Sequence, residues 1–249
     1  MLNTAIYKDF ETTELPSNFV NMPIINTSTY VSTATLEPHI CDSLVAMFNT
    51  FGSNDFYDVG VNGYLDDQAP DGKGSKRITN YDIKFANYLN HILSGKLPSV
   101  INLNDYSPVD WQSQNPEKYN VWAFEGVSPV FRYMEYTQGS EHFPHYDAPF
   151  ISKENPLVRT LMSGVLYLTT NKSGATGFII DGQNEVLFED RDTSDWSRQA
   201  TLDEVESWEL PVKGKLLIFP HQVCHTVFPL LEDEKRIIIR FDIFFRALT

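Results

Sequence analysis

The clearest alternation in the chain is the run RIIIRFDIFF over residues 236–245. Ile237, Ile239, Phe241, Ile243 and Phe245 interleave with Arg236, Ile238, Arg240, Asp242 and Phe244. Successive side chains of a strand point to opposite faces. One face is therefore wholly apolar and suited to packing beneath helices. The other carries two arginines and a carboxylate, which face either solvent or a polar barrel lumen; on alternation alone solvent is the commoner outcome. VFRYMEYT, LMSGVLYLT, TGFIID, EVLFED and GKLLIFP are further β-branched or aromatic runs, separated by Gly, Pro, Asn and Asp. All lie beyond residue 121, and together they predict a sandwich or closed barrel.

The first third has a different period. Ile40, Leu44, Met47, Phe48 and Phe51 mark one helical stripe, predicting a helix over Pro38 to Phe51. Tyr81, Phe85, Tyr88, Leu89 and Ile92 predict a second over Asn80 to Leu93, with Asn80 as N-cap and Gly95 as stop. Residues 52–79, rich in Gly, Asp and Asn, are too long for a simple connector and read as a mobile lid or binding loop. A second irregular stretch, 94–118, holds three prolines. No repeat is present. The expectation is a single domain over 1–249, mainly β with an α+β character: a helical and loop part to about residue 120, packed on a β core over 121–249.

Composition narrows the partners. The chain is 42% hydrophobic and 21% charged, as expected of a globular protein rather than a disordered one. Its net charge is -14, and residues 181–209 hold ten Asp/Glu against Arg191 and Arg198. Such a surface repels phosphate backbones and anionic lipids, so neither nucleic acid nor membrane is an expected partner. It is compatible with a neutral or cationic substrate, although acidity more often serves solubility. Cys41 and Cys224 cannot form a disulfide framework. The opening MLNTAIYKDFETTELP lacks the basic and apolar regions of a signal peptide, and no run approaches the roughly 18 to 20 apolar residues that span a bilayer. A soluble cytoplasmic protein, monomer or homodimer, is expected.

Candidate chemistry begins with His145 and Asp147, two residues apart. In an extended strand both would project to one side and could reach one ion. Two His and one carboxylate on one face of an octahedron leave three positions for a 2-oxo acid and dioxygen, the arrangement that suits Fe(II) oxygenases. His-x-Asp is common by chance, so a third ligand has to be found; His221 and His225, in FPHQVCHTVFP, are the candidates. A His at a strand corner is more often structural than a ligand. His225 is favoured because Arg236 follows eleven residues later, and a hairpin of that length could bring the guanidinium near the metal. Arginine suits a carboxylate through bidentate, charge-assisted bonds. Tyr136 shares a strand face with Met134, Arg132 and Val130; if that face is inward, its hydroxyl could serve the same carboxylate, and Arg132 would need an anion such as Asp242 or a substrate.

Three segments resemble the prolyl 4-hydroxylase-like branch of the Fe(II)/2-oxoglutarate-dependent dioxygenases. RYMEYTQGSEHFPHYDAPF resembles the region of the first ligand pair, and YLTTNKSGATGF is similar to the family's Y-L-N-x-x-x-x-G-G-x-T-x-F, with Gly174, Thr176 and Phe178 matching. KGKLLIFPHQVCHTVFPLLEDEKRIIIRFDIFF resembles the segment of the distal His and the basic residue after it. The resemblance implies a double-stranded β-helix (jelly roll) with the N-terminal helices on one sheet. It implies His145, Asp147 and His225 as iron ligands, Arg236 as partner of the 2-oxoglutarate C5 carboxylate, and Tyr136 and Thr176 as further co-substrate residues. Ser173, Ala175 and Thr226 depart from the family pattern, and the loop from His225 to Arg236 is one residue longer, which leaves Lys235 as an alternative carboxylate partner.

The implied cofactors are Fe(II), 2-oxoglutarate and O2, with ascorbate stimulatory, and the implied reaction is hydroxylation of an unactivated C–H bond with release of succinate and CO2. Halogenating relatives carry Gly or Ala at the position of Asp147, so its carboxylate implies hydroxylation. An amino-acid-like small molecule is the favoured substrate, with Arg77, Trp122 and Arg132 as residues that meet it. The alternatives are a prolyl or other side chain of a peptide or protein, a non-catalytic 2-oxoglutarate-sensing β-barrel, and a zinc hydrolase using the same triad.

Overall fold

The computed structural model describes residues 32–61, 73–102 and 119–248, apart from 153, 156, 184–185, 187–189, 191, 193–196 and 232. Twelve strands are found among them: β1 (Ser32–Thr35), β2 (Tyr57–Val59), β3 (Ser75–Tyr81), β4 (Val100–Asn102), β5 (Val121–Tyr136), β6 (His142–His145), β7 (Val158–Tyr167), β8 (Thr176–Ile179), β9 (Val205–Glu209), β10 (Lys215–Pro220), β11 (His225–Val227) and β12 (Arg236–Ala247). Two α-helices accompany them, α1 (Pro38–Phe48) and α2 (Ile83–Leu93). An eight-stranded antiparallel sheet has the order β1-β10-β7-β12-β5-β3-β2, with β4 also paired to β5. A four-stranded sheet has the order β6-β11-β8-β9. From β5 to β12 the chain passes repeatedly between the two sheets, which is the winding of a double-stranded β-helix.

The alternation of β12 sets what lies on each side of the large sheet. Ile237, Ile239, Phe241, Ile243 and Phe245 join Ile40, Leu44, Met47 and Phe48 of α1 and Phe85, Leu89 and Ile92 of α2 in one buried cluster. Each such side chain contributes about 1.5–3 kcal/mol of burial. The opposite face looks between the sheets, where Ile238 packs with Met134, Tyr136, Tyr167, Phe178 and Phe219. Arg236 and Asp242 are therefore buried in the lumen rather than solvated, and Arg240 is largely enclosed. A one-residue slip of β12 would push all three charges under the helices, so the register is strongly specified. Gly164 of β7 lies opposite Phe241, and a Cβ there would sit 2.2 Å from the ring. The absence of a side chain lets that ring lie flat across the sheet.

Several local expectations are corrected. Residues 52–79 are not simply a loop, since β2 and β3 fall within them. Lys76 to Tyr81 pair continuously with Glu135 to Val130 of β5, and this non-local pairing overrides the polar local composition. Residues 62–72 of that stretch lie outside the described residues. The part before residue 121 is also more than helix and loop, because β1 to β4 all extend the large sheet. Asn80 is in β3 and does not cap α2. Strand pairing continues to Tyr81, and the Asp82 N–H still donates to the Pro129 carbonyl at 2.8 Å. The helix starts only after that, with the Asp82 carboxylate accepting from the N–H groups of Lys84 at 3.1 Å and Phe85 at 3.0 Å. Such a cap contributes about 1 kcal/mol. The run EVLFED lies mostly outside the described residues. No helix among the described residues is long and apolar enough to cross a membrane.

Candidate metal centre and carboxylate pocket

His145 ends β6 and His225 begins β11, and the two are register partners in the small sheet. Their ring centroids are 4.2 Å apart. Asp147 lies just past the end of β6, so it meets His145 from an irregular segment and not, as alternation suggests, from the same strand. One ligand atom from each of the three lies within 4.8 Å of the others, and the group could hold a metal ion. Nδ1 of His145 is 2.7 Å from the Phe143 carbonyl, and Nδ1 of His225 is 3.0 Å from that of Val223. A carbonyl only accepts, so each Nδ1 keeps its proton and each Nε2 presents a lone pair. Burial lowers the pKa of His145, and burial with the neighbouring His145 ring lowers that of His225 to about 3. Both imidazoles are neutral near pH 7, the form that ligates.

Asp147 is held as a carboxylate against its burial. The Arg240 guanidinium above all keeps it well below the usual carboxylate range. Arg240 Nη2 is 2.8 Å from Asp147 Oδ1, and the Ser163 hydroxyl donates to Oδ2. The same Arg240 nitrogen is 2.9 Å from Asp242 Oδ1, and Arg132 Nη1 donates to Asp242 Oδ2 at 2.8 Å. Arg132 thus finds the anion its position requires. His221, the other candidate ligand, has its Nε2 3.4 Å from Asp242 Oδ1 and is not one of the three grouped residues. Two neutral imidazoles and one carboxylate oxygen form a donor set that fits Fe(II).

Arg236 is fully buried opposite Tyr136 of β5. Its guanidinium carbon lies 4.7 Å from the Tyr136 ring centroid and 5.4 Å from that of Tyr167. Nη2 is 3.4 Å from the Thr176 hydroxyl, which in turn is 2.6 Å from the Tyr167 hydroxyl. Nε and Nη1 have no hydrogen-bond partner among the described residues. A buried cation left this way is costly unless an anion joins it, and the open fork fits a carboxylate. Gly174 turns the preceding loop at φ +68°, and a Cβ there would come 3.4 Å from Arg236 Cδ. Lys235 points to the other side, where its Nζ pairs with Glu135 at 2.8 Å, which removes it as the alternative. The link from His225 to Arg236 is not a hairpin, because β11 and β12 belong to different sheets; both residues nonetheless enter one lumen, where Phe219 packs on His225 at 4.7 Å.

Residues 158–242 match the family model of the 2OG-Fe(II) oxygenases. The matched segment contains Thr176, His225 and Arg236, while His145 and Asp147 precede it. The chain is similar in fold to a Pseudomonas putida prolyl-4-hydroxylase, with a TM-score of 0.50, 15% identity and 100% of each chain covered. It is also similar to HygX from Streptomyces hygroscopicus, a structure with nickel and 2-oxoglutarate bound, with a TM-score of 0.53, 11% identity, and 88% of this chain and 84% of that one covered. No curated protein matches it in sequence.

The remaining expected site residues separate. Trp122 is buried in the helix-side cluster, its Nε1 donating to the Tyr119 carbonyl at 2.8 Å and Arg159 stacked 4.6 Å over its ring. It does not face the lumen, which corrects its place among the substrate residues. Arg77 of β3 is opposite Met134 and does face the lumen. Sequence reasoning missed Ser163, Tyr167 and the contact of Arg240 with Asp147. The alternation of LMSGVLY puts Ser163, Val165 and Tyr167 on one face, and that of β12 puts Arg240 with Arg236, so the signal was present but not its partner.

Proposed function

We propose that this chain is an oxygenase that binds Fe(II) through His145, Asp147 and His225, receives the C5 carboxylate of 2-oxoglutarate on Arg236, and hydroxylates an unactivated C–H bond of an amino-acid-like small molecule. The observation that carries this reading is the Arg236 guanidinium, buried with two unpartnered nitrogens in the same lumen as the His/Asp/His group. When bound, Fe(II) with 2-oxoglutarate and dioxygen supplies the oxidising chemistry, yielding succinate, CO2 and a hydroxylated product.

The residues of the chain prepare the site for it. Phe143 and Val223 carbonyls orient the two imidazoles, and Arg240 with Ser163 fixes the rotation of the Asp147 carboxylate. Tyr136 and Tyr167 hold the Arg236 plane by cation–π contact, and Thr176 adds a hydroxyl beside it. Phe178 and Phe219 line the lumen with apolar surface and exclude water from the reacting atoms. The arginines at the lumen support a small molecule with a carboxylate over a prolyl side chain, which carries no charge.

The purified protein with Fe(II), 2-oxoglutarate and a panel of free amino acids is expected to form succinate, at a rate that rises when the right amino acid is present. Tight Fe(II) binding without any succinate, even in the absence of substrate, would contradict the proposal and identify a sensing module.

A further inference from the structure

The lumen of this acidic protein is lined by cations. Arg132 and Arg240 stand there against the carboxylates of Asp147 and Asp242, and Arg77 shares their face of the sheet. Two of the three arginines are paired with carboxylates. Arg132 holds Asp242 at 2.8 Å, and Arg240 lies between Asp147 at 2.8 Å and Asp242 at 2.9 Å. Arg77 is the remaining one.

Its position follows from the register of the sheet. Ile78 belongs to the helix-side cluster, so its neighbour Arg77 projects to the opposite face. It sits across from Met134 of the lumen cluster on one side and Tyr57 of β2 on the other. The groups whose charges act on it most are Tyr136, Tyr57, Arg132 and Arg240, none of them a carboxylate. Met134 belongs to the same buried cluster as Phe219, which packs on His225 at 4.7 Å, so Arg77 is turned toward the lumen that holds the His/Asp/His group. Nε of Arg77 is buried without a hydrogen-bond partner, and the guanidinium makes no ion pair among the described residues. A half-buried cation beside two further arginines is unfavourable until an anion reaches it.

We propose that Arg77 anchors a carboxylate of the substrate that is oxidised, an anionic group that the overall charge of -14 does not by itself suggest. The inference rests on the oxygenase reading above, in which Arg236 is already engaged by the co-substrate. The basic residues of the lumen then have separate roles. Arg236 serves 2-oxoglutarate, Arg240 and Arg132 serve the internal carboxylates, and Arg77 serves the substrate.

The test uses the full chain, loaded anaerobically with Fe(II) and 2-oxoglutarate, and reads the visible absorption of that complex as free L-amino acids or their carboxamides are added. At least one amino acid is expected to perturb the spectrum, with its amide binding about tenfold or more weakly, as loss of a charge-assisted bond requires. Arg77→Gln should weaken that amino acid by about tenfold or more, and Arg77→Lys should recover part of the loss, while 2-oxoglutarate affinity stays the same in all three proteins. Retained 2-oxoglutarate binding also shows that the variants are folded. Equal binding of acid and amide, or an Arg77→Gln protein that binds the acid normally, overturns the anchor. So does a wild-type protein that binds 2-oxoglutarate but responds to no carboxylate, and in that case the oxygenase reading survives. Loss of 2-oxoglutarate affinity in Arg77→Gln would assign the residue to the co-substrate instead. Failure of the wild type to bind 2-oxoglutarate would overturn the oxygenase reading together with this inference.

Discussion

Arg236→Met is expected to weaken 2-oxoglutarate binding by about a hundredfold or more, measured by calorimetry with the metal-loaded protein. Removing one partner of a buried, hydrogen-bonded charge pair costs about 3–5 kcal/mol, and the co-substrate carboxylate would be left among Tyr136, Tyr167 and Thr176 with no cation. The same substitution should leave the ligand-free protein equally stable or more stable. In that state the guanidinium is fully buried with two nitrogens unpartnered, and a flexible apolar side chain of similar length fills the gap between the two tyrosine rings without a desolvated charge. Loss of the cation–π contacts offsets part of this gain. Binding and thermal stability thus move in opposite directions. A residue serving only to hold the fold would move both downward, so a variant that melts much lower while binding 2-oxoglutarate normally would refute the assignment.

Arg240→Met should act on the metal and not on the co-substrate. Arg240 is the largest favourable influence on Asp147 and also holds Asp242. Without it two enclosed carboxylates face each other with only Ser163, Arg132 and His221 beside them. Loss of a residue that orients a metal ligand typically costs 10- to 100-fold in metal affinity, and about that loss is expected for Fe(II). Thermal stability should fall as well, since Arg240→Met breaks a buried ion pair from one side. Arg240→Lys keeps a charge but not the fork that spans both acids, so it should recover stability better than metal affinity. An Arg240→Met protein with unchanged Fe(II) affinity would show that the contact with Asp147 is incidental.

The parts of this site that were legible in the sequence are those governed by alternation. The two faces of β12 could be read directly from RIIIRFDIFF, including the apolar face that packs under α1 and α2. The need of Arg132 for an anion, and Asp242 as its source, followed from the same rule applied to β5 and β12. Alternation does not say which face is lumen and which is solvent. That depended on the small sheet, whose strands β6, β8 and β11 have only three or four residues each and leave almost no periodic signal. For the same reason Asp147 was placed within a strand that in fact ends at His145, and β11 was taken as half of a hairpin. Partners across the lumen, such as Ser163 for Asp147 and Tyr167 for Arg236, come from strands far apart in sequence, and no local pattern pairs them. Alternation also favoured Arg236 over Lys235 by placing Lys235 on the other face, and the two side chains do point to opposite sides.

Everything proposed for this chain depends on His145, Asp147 and His225 binding one Fe(II) beside 2-oxoglutarate. The most direct test is an anaerobic titration of Fe(II) into the protein with 2-oxoglutarate present, followed in the visible range, for the wild type and for His225→Ala. A weak, saturable charge-transfer band is expected in the wild type and not in His225→Ala, and on admission of air only the wild type should form succinate. A His225→Ala protein that gives the same band and still forms succinate would contradict the ligand set.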